Sequence, residues 1–385
     1  MSVAPDAPPD PRRVLGHLRG EAEGRTVIFV GGLHGTAPAG VAAIERLFEG
    51  LPGPESIRGE VLGVGGNLAG LAQGIRFVDE DLNRGWWPET VEGLATAESS
   101  EDLDRREILV LIEPLLQRAV RAPIIVDFHT TSGESPPFVT LGDTLRNRRF
   151  AKAIPVPVVL GLEEQLSATF LEYMNNQGCI TLGCEGGRHE DPAAVDQLEA
   201  MGWLILVEAG VIAKGHVPEP DPRTLLEAVS RTFPRVVEVR HRHEVVRGRR
   251  FIMDPGHRSF QPVSEGERLG AFADGRPVHA PESGRLLMPQ YQRLGDDGFF
   301  IVRNVRPVWL RVSALLRRLR ADRAAVLLPG VRRHPYIANG VVIDRRIARW
   351  FTVDIFHLLG FRRRIEQGHE LIMSRRHFDR PADWR

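Results

Sequence analysis

Two histidines in this chain each follow an apolar run that ends in a turn. In VIFVGGLHGTAPAG, His34 lies beyond the run Thr26–Val30 and the pair Gly31-Gly32. In IIVDFHTTSG, His129 closes the run Ile124–Phe128, and Asp127 shares its face of an extended chain. Histidine is the commonest zinc ligand, and a catalytic zinc needs about three protein ligands plus an open position for water. A third segment, GIRFVDEDLNRGWW, crowds Arg76, Asp79, Asp81, Asn83 and Arg84 together. In a fourth, CITLGCEGGRHEDP, Glu185 follows an apolar strand and precedes Gly186-Gly187. A carboxylate so placed suits a general base acting on a metal-bound water, although alone it reads as a turn glutamate facing solvent. His241 and His243, in RHRHE, share a strand face and form a weaker metal-binding pair. Among so many charges they read as part of a solvated edge strand.

These segments need elements to hold them. Thr26–Val30, Val61–Val64, Ile124–Phe128, Val156–Leu160 and Ile180–Cys184 read as strands. The apolar spacing predicts helices over Pro38–Leu51 and Arg105–Leu116. Strands alternating with helices predict an α/β fold with a mostly parallel or mixed sheet flanked by helices. Polar residues at the carboxyl ends of such strands are where sites form. Residues 13–230 are therefore expected to form the site-bearing domain. From residue 236 to 306 short strand-like runs are broken by Gly, Pro and Asp, which predicts a smaller all-β domain. Residues 307–385 read as an arginine-rich, largely helical extension whose arginines make a solvated face. Residues 1–12 read as a loose tail.

The composition is that of an ordinary globular chain: 385 residues, 42% hydrophobic and 26% charged, with zero formal net charge. No net field exists to steer nucleic acid or an anionic membrane. Lys152 and Lys214 are the only lysines, so the positive charge is nearly all arginine. Cys179 and Cys184 point to opposite faces if extended, so no disulfide is expected between them. There is no signal-peptide pattern or bilayer-length apolar run. A cytoplasmic protein is expected. Its partner is expected to be a small-molecule carboxylate substrate, with no nucleic acid and no membrane; assembly into a homo-oligomer stays open.

Taken together, the four segments resemble the succinylglutamate desuccinylase/aspartoacylase family, which has a zinc-carboxypeptidase-like fold. The family's G-G-x-H-G-N-E is met by Gly31–Ala37, its R-x-x-D-x-D-L-N-R by Arg76–Arg84, its D-x-H-x-T-S by Asp127–Ser132, and its glutamate before glycine by Glu185-Gly186. The run HAPESGRLLMPQYQRLGDDGFFIV is similar to the C-terminal part of long family members. The resemblance implies one zinc per chain with His34 and His129 as ligands, Glu185 as the base, and Arg76 polarising the scissile carbonyl. It also implies that Asn83 and Arg84 grip the substrate carboxylate, while Asp79 and Asp81 hold the arginines in place.

The sequence departs from the family at Thr36 and Ala37. The family's third zinc ligand is a glutamate where this chain has Ala37, which offers no donor atom. Weaker metal binding is therefore expected. Asp127, Asp79, Asp81, Glu185 or an added water are the candidates to fill the gap, and Glu185 would then be compromised as a base. Two functions follow from the sequence. The first is a metal-dependent hydrolase cleaving an amide or ester bond of an N-acyl amino acid or similar carboxylate. The alternative is a catalytically degenerate member, with weak or no zinc, that binds a carboxylate ligand or a partner protein.

Overall fold

The computed structural model describes residues 12–245, 250–292, 295–337, 339–348, 352–376 and 378–379. The expected tail at 1–12 lies almost wholly outside them. In chain order, β1 (Val14–Arg19) and β2 (Ala22–Gly31) lead to α1 (Ala39–Gly50), β3 (Arg58–Gly65), α2 (Leu68–Gln73), α3 (Pro88–Gly93) and α4 (Ser100–Arg118). Then come β4 (Ile124–Thr131), β5 (Phe138–Leu141), α5 (Leu145–Ala153), β6 (Val158–Leu160), α6 (Phe170–Asn176) and β7 (Ile180–Arg188). α7 (Ala193–Ala209), α8 (Pro222–Ser230) and β8 (Val236–Glu244) follow. The β-rich stretch holds β9 (Phe251–Met253), β10 (Pro262–Val263), β11 (Arg268–Phe272), β12 (Pro277–His279), β13 (Gly284–Leu287) and β14 (Asp297–Asn304). The last segment holds α9 (Pro307–Arg318), β15 (Val331–Arg333), β16 (Gly340–Asp344), α10 (Thr352–Leu358), β17 (Phe361–Gln367) and β18 (Glu370–Arg375).

Among the described residues, eleven strands form one mixed sheet in the order β1-β3-β2-β4-β7-β5-β6-β8-β14-β13-β10. Its centre, β3-β2-β4-β7, is parallel. The central strands are apolar on both sides because helices cover both faces. In β2, Val27 and Phe29 pack with α1 and α7 through Ile44, Leu47 and Met201. The alternate residues Ile28 and Val30 pack with α4 and α6 through Ile108, Ile112 and Met174. The same alternation separates the cysteines. Cys179 lies in the second cluster and Cys184 in the first, and both are free thiols.

Two expectations need correction. The β-rich stretch is not a separate unit, because β8 pairs in parallel with β6 through Val236–Glu238 and carries β14, β13 and β10 into the main sheet. Only β9, β11 and β12 form a small sheet of their own. Short β-branched runs announce strands but not their partners, so the sequence pattern misplaced this boundary. The C-terminal extension is not largely helical. It pairs α9 and α10 with a four-stranded antiparallel sheet, β15-β16-β18-β17. The helical period of the residues before Gly360 (φ +93°) stops there, and a Gly368 turn closes the β17–β18 hairpin. Its arginines are not all solvated either. Arg317 and Arg362 are buried and converge with Arg148 on Asp143, whose side chain is wholly buried. No described helix is long and apolar enough to cross a membrane.

Candidate functional site

The turn between β2 and α1 is tight because helix and sheet touch through glycine. A Cβ on Gly40 would lie 2.5 Å from the Phe128 carbonyl oxygen, so only glycine lets α1 start this close to the end of β4. That approach brings the His34 and His129 rings to 5.0 Å, edge to face. The loop bearing Arg76–Arg84 is held from beneath by the start of α4. The buried Glu101 carboxylate accepts from the amides of Val78, Asp79 and Glu80 at 2.7–3.2 Å. Fully buried Arg105 donates to the carbonyls of Arg84, at 2.6 Å, and Asp81, at 3.3 Å. Asp79 is spent on the Ser100 amide at 2.8 Å. Glu185 stands beside His129 in the β4–β7 register.

His34, Arg76, Asn83, Arg84, Asp127, His129 and Glu185 thus line one cavity of about 110 Å3. Asp81 accepts from Arg76 at 3.0 and 3.3 Å and lies 2.8 Å from His34 Nε2. Burial and the Arg76 charge lower the His34 pKa to about 3, so the ring is neutral at physiological pH. His129 behaves oppositely. Burial works against its charge, but Asp127, 2.8 Å from Nδ1, together with Glu185 outweighs burial and raises the pKa to about 9. Burial raises Glu185 to about 7 against the pull of His129, and its Oε2 has no hydrogen-bond partner. Asn83 Oδ1 accepts from the Phe170 amide at the start of α6, and Arg84 lies 3.5 Å from Asp297.

The donor set does not fit a three-ligand zinc centre. His34 Nε2 is 2.8 Å from Asp81 and 3.0 Å from an Arg76 nitrogen, which leaves only Nδ1 of that ring to a metal. The Asp127 contact at Nδ1 leaves His129 only Nε2, which is buried without a partner. Ala37, which stands where the family motif has a glutamate, is 1% exposed and offers only a methyl group. Among the described residues, no three His, Cys, Asp or Glu side chains come together as a metal-holding group. Asp81, one of the candidates to fill the gap, is instead committed to Arg76 and His34.

His241 and His243 are elsewhere and hold nothing in common with this cavity. β6 pairs with β8 only through Val236–Glu238, so at His241 and His243 the strand is paired with β14 alone, and His243 stacks on Phe299 with ring centroids 4.8 Å apart. The sequence reading also missed several residues of the cavity wall. Glu163 follows β6, is buried, and has its pKa raised to about 7 by burial and by its acidic neighbours. Applying the strand-end rule to VVLGLEE would have found it. Gln290, Gln292 and Asp297, from the β13–β14 connection and the start of β14, cover the cavity. Gln290 accepts from Ser132 at 2.7 Å. His189 Nδ1 lies 2.6 Å from the Thr130 hydroxyl, with burial lowering its pKa to about 4.

Residues 23–201 match the family model of the succinylglutamate desuccinylase/aspartoacylase catalytic domain. Solved structures share the fold at low identity. A succinylglutamate desuccinylase/aspartoacylase from Rhodobacter sphaeroides has 22% identity and a TM-score of 0.57, over 76% of this chain and 88% of that one. A succinylglutamate desuccinylase from Silicibacter has 15% identity and a TM-score of 0.55, over 78% and 98%. The product-bound ectoine utilization protein EutE from Ruegeria pomeroyi has 17% identity and a TM-score of 0.54, over 74% and 87%. No curated protein sequence matches the chain. The match places residues 23–201 in the succinylglutamate desuccinylase/aspartoacylase family, a family of acyl-amino-acid hydrolases.

Proposed function

We propose, from that membership, that this chain carries a hydrolase-derived pocket that binds a small carboxylate-bearing acyl compound, such as an N-acyl amino acid, without a family-type zinc centre. One observation carries the reading. Ala37 is buried at the third-ligand position while Asp81 and Arg76 occupy His34 Nε2, yet Arg76, Asn83 and Arg84 still line the cavity. Arg84 would exchange its long contact with Asp297 for the ligand carboxylate, a charge-assisted pair. Arg76 would donate to the acyl carbonyl, and Asn83 Nδ2 to a second carboxylate oxygen. Calorimetry with N-acetylaspartate, N-acetylglycine and succinate tests this. At least one carboxylate should bind where N-acetylglycinamide does not, and Arg84→Met should weaken it by about tenfold, the worth of one charged hydrogen bond. Binding of none of the three, or binding indifferent to Arg84→Met, would overturn it.

A second reading, hydrolysis at the same pocket, is favoured by one specific observation. His129 Nε2 and Glu185 Oε2 are both buried, unpartnered and on the same cavity wall. A water or an amide seated between them would satisfy both. Glu185 would take the proton of that water while Arg76 steadies the carbonyl oxygen. Turnover of an N-acyl amino acid that is lost in Glu185→Gln, with binding retained, would establish this second reading over the first.

A further inference from the structure

A larger cavity, of about 400 Å3, lies between α5 and α9, against Val158 and Leu160 of β6 and Ile180 at the start of β7. It falls within the usual range for small-molecule sites, whereas the candidate active-site cavity does not reach it. Its depth is apolar, built from buried Leu145, Phe150, Leu160 and Ile180, with Leu310 of α9 closing it. Every ionisable side chain in its wall is an arginine or a lysine. Arg149, Lys152, Arg235 and Arg318 are exposed and form its rim. Arg148 is paired with Asp143 and Arg149 with Glu208, whereas Arg25, Arg146 and Arg235 donate to carbonyls, which do not neutralise charge. Arg25 donates to the Ala122 carbonyl at 3.0 Å, and Arg235 to those of Val156, Ile154 and Lys152 at 2.5, 2.7 and 3.2 Å. Burial and the nearby Arg121 and Arg149 charges lower the Arg25 pKa, as expected where positive charge is crowded.

We propose that this cavity is a second binding site, for an aliphatic carboxylate of the fatty-acid class. The chain would fill the apolar depth and the head group would meet the cationic rim. An anion answers the crowded arginines, and a chain answers walls that no polar ligand would satisfy. Because α5 belongs to the site-bearing domain and α9 to the C-terminal extension, the ligand would touch both parts of the molecule.

Calorimetry on the full chain with dodecanoate, dodecanol and acetate, all below micelle-forming concentrations, tests the proposal. One dodecanoate should bind per chain, dodecanol at least about tenfold more weakly, and acetate not detectably. From hexanoate upward, affinity should rise about fourfold per methylene and level off once the chain outgrows the cavity. Ala314→Phe, which fills the cavity from α9, should abolish binding. Lys152→Glu with Arg149→Glu, at the exposed rim, should weaken dodecanoate about tenfold and leave dodecanol unchanged. Equal affinity for acid and alcohol, or no effect of the rim changes, would overturn the anion site. The absence of dodecanoate binding would overturn the whole proposal. So would a failure of affinity to depend on chain length, a test that needs no variant.

Discussion

Asp143 is the point at which the C-terminal extension is locked to the rest of the molecule, and Asp143→Asn tests that directly. Its wholly buried carboxylate accepts from Arg148 at 2.5 and 2.8 Å, from Arg317 of α9 at 2.9 Å and from Arg362 of β17 at 2.6 Å. Glu238 and Asp379 complete the cluster, pairing with Arg362 and Arg317. Arg375 also donates to Asp379, at 2.9 Å, so four guanidiniums share three buried carboxylates. Replacing Asp143 by its neutral isostere keeps the shape and leaves one guanidinium charge uncompensated in a buried setting. Removing one partner of a buried ion pair typically costs about 3–5 kcal/mol. Urea denaturation at pH 7 should show a loss of that order. Arg317→Met should also destabilise, and the double variant should recover part of the sum because it restores the charge balance. The pH dependence has a definite sign. Burial opposes the Asp143 charge, but the three arginines hold its pKa well below the usual carboxylate range. Its contribution should be complete above its unfolded value of about pH 4 and shrink as pH falls below that. A change of less than about 0.5 kcal/mol in Asp143→Asn, the level of an ordinary surface substitution, would refute the reasoning.

Two further predictions follow from the site itself. Glu163 has its folded pKa raised to about 7, so between its unfolded value near 4.3 and pH 7 the folded state binds more protons and stability falls as pH rises. Glu163→Gln should therefore gain on the parent by about 3 kcal/mol in unfolding free energy between pH 4.5 and pH 8; a pH-independent difference would contradict this. A Cβ on Gly35 would lie 2.0 Å from the Gly70 carbonyl carbon and 2.3 Å from the Ile75 oxygen, both backbone atoms that cannot step aside. Gly35→Ala should cost about 1–3 kcal/mol and abolish carboxylate binding, whereas Gly74→Ala, at φ +65° in open space, should cost about 1 kcal/mol and leave binding intact.

The parts of this site that were readable in the sequence are those fixed by local chain direction. Apolar runs ending in Gly31-Gly32, Asp127-Phe128-His129 and Glu185-Gly186 had to be strands with polar ends. Parallel strands put those ends on one edge, so His34, His129 and Glu185 meet. What stayed hidden depends on partners far along the chain. Nothing in Val236–Glu238 says that it pairs with β6, and nothing in the arginine-rich tail says that Arg317 and Arg362 meet a buried Asp143. The competition for His34 was hidden for the same reason. Asp81 reads as a residue that steadies Arg76, and only the folded loop shows the pair closing on His34 Nε2 as well.

The most direct test of the account is the zinc content of the protein as purified, measured by elemental analysis for the parent chain and for Ala37→Glu. Losing a supporting hydrogen bond around a metal ligand typically costs 10- to 100-fold in affinity, so supplying a missing ligand should raise zinc affinity by at least about a hundredfold. The account predicts zinc well below one ion per chain in the parent and a stoichiometric ion in Ala37→Glu. A parent chain that already holds one zinc, with no change on Ala37→Glu, would contradict it.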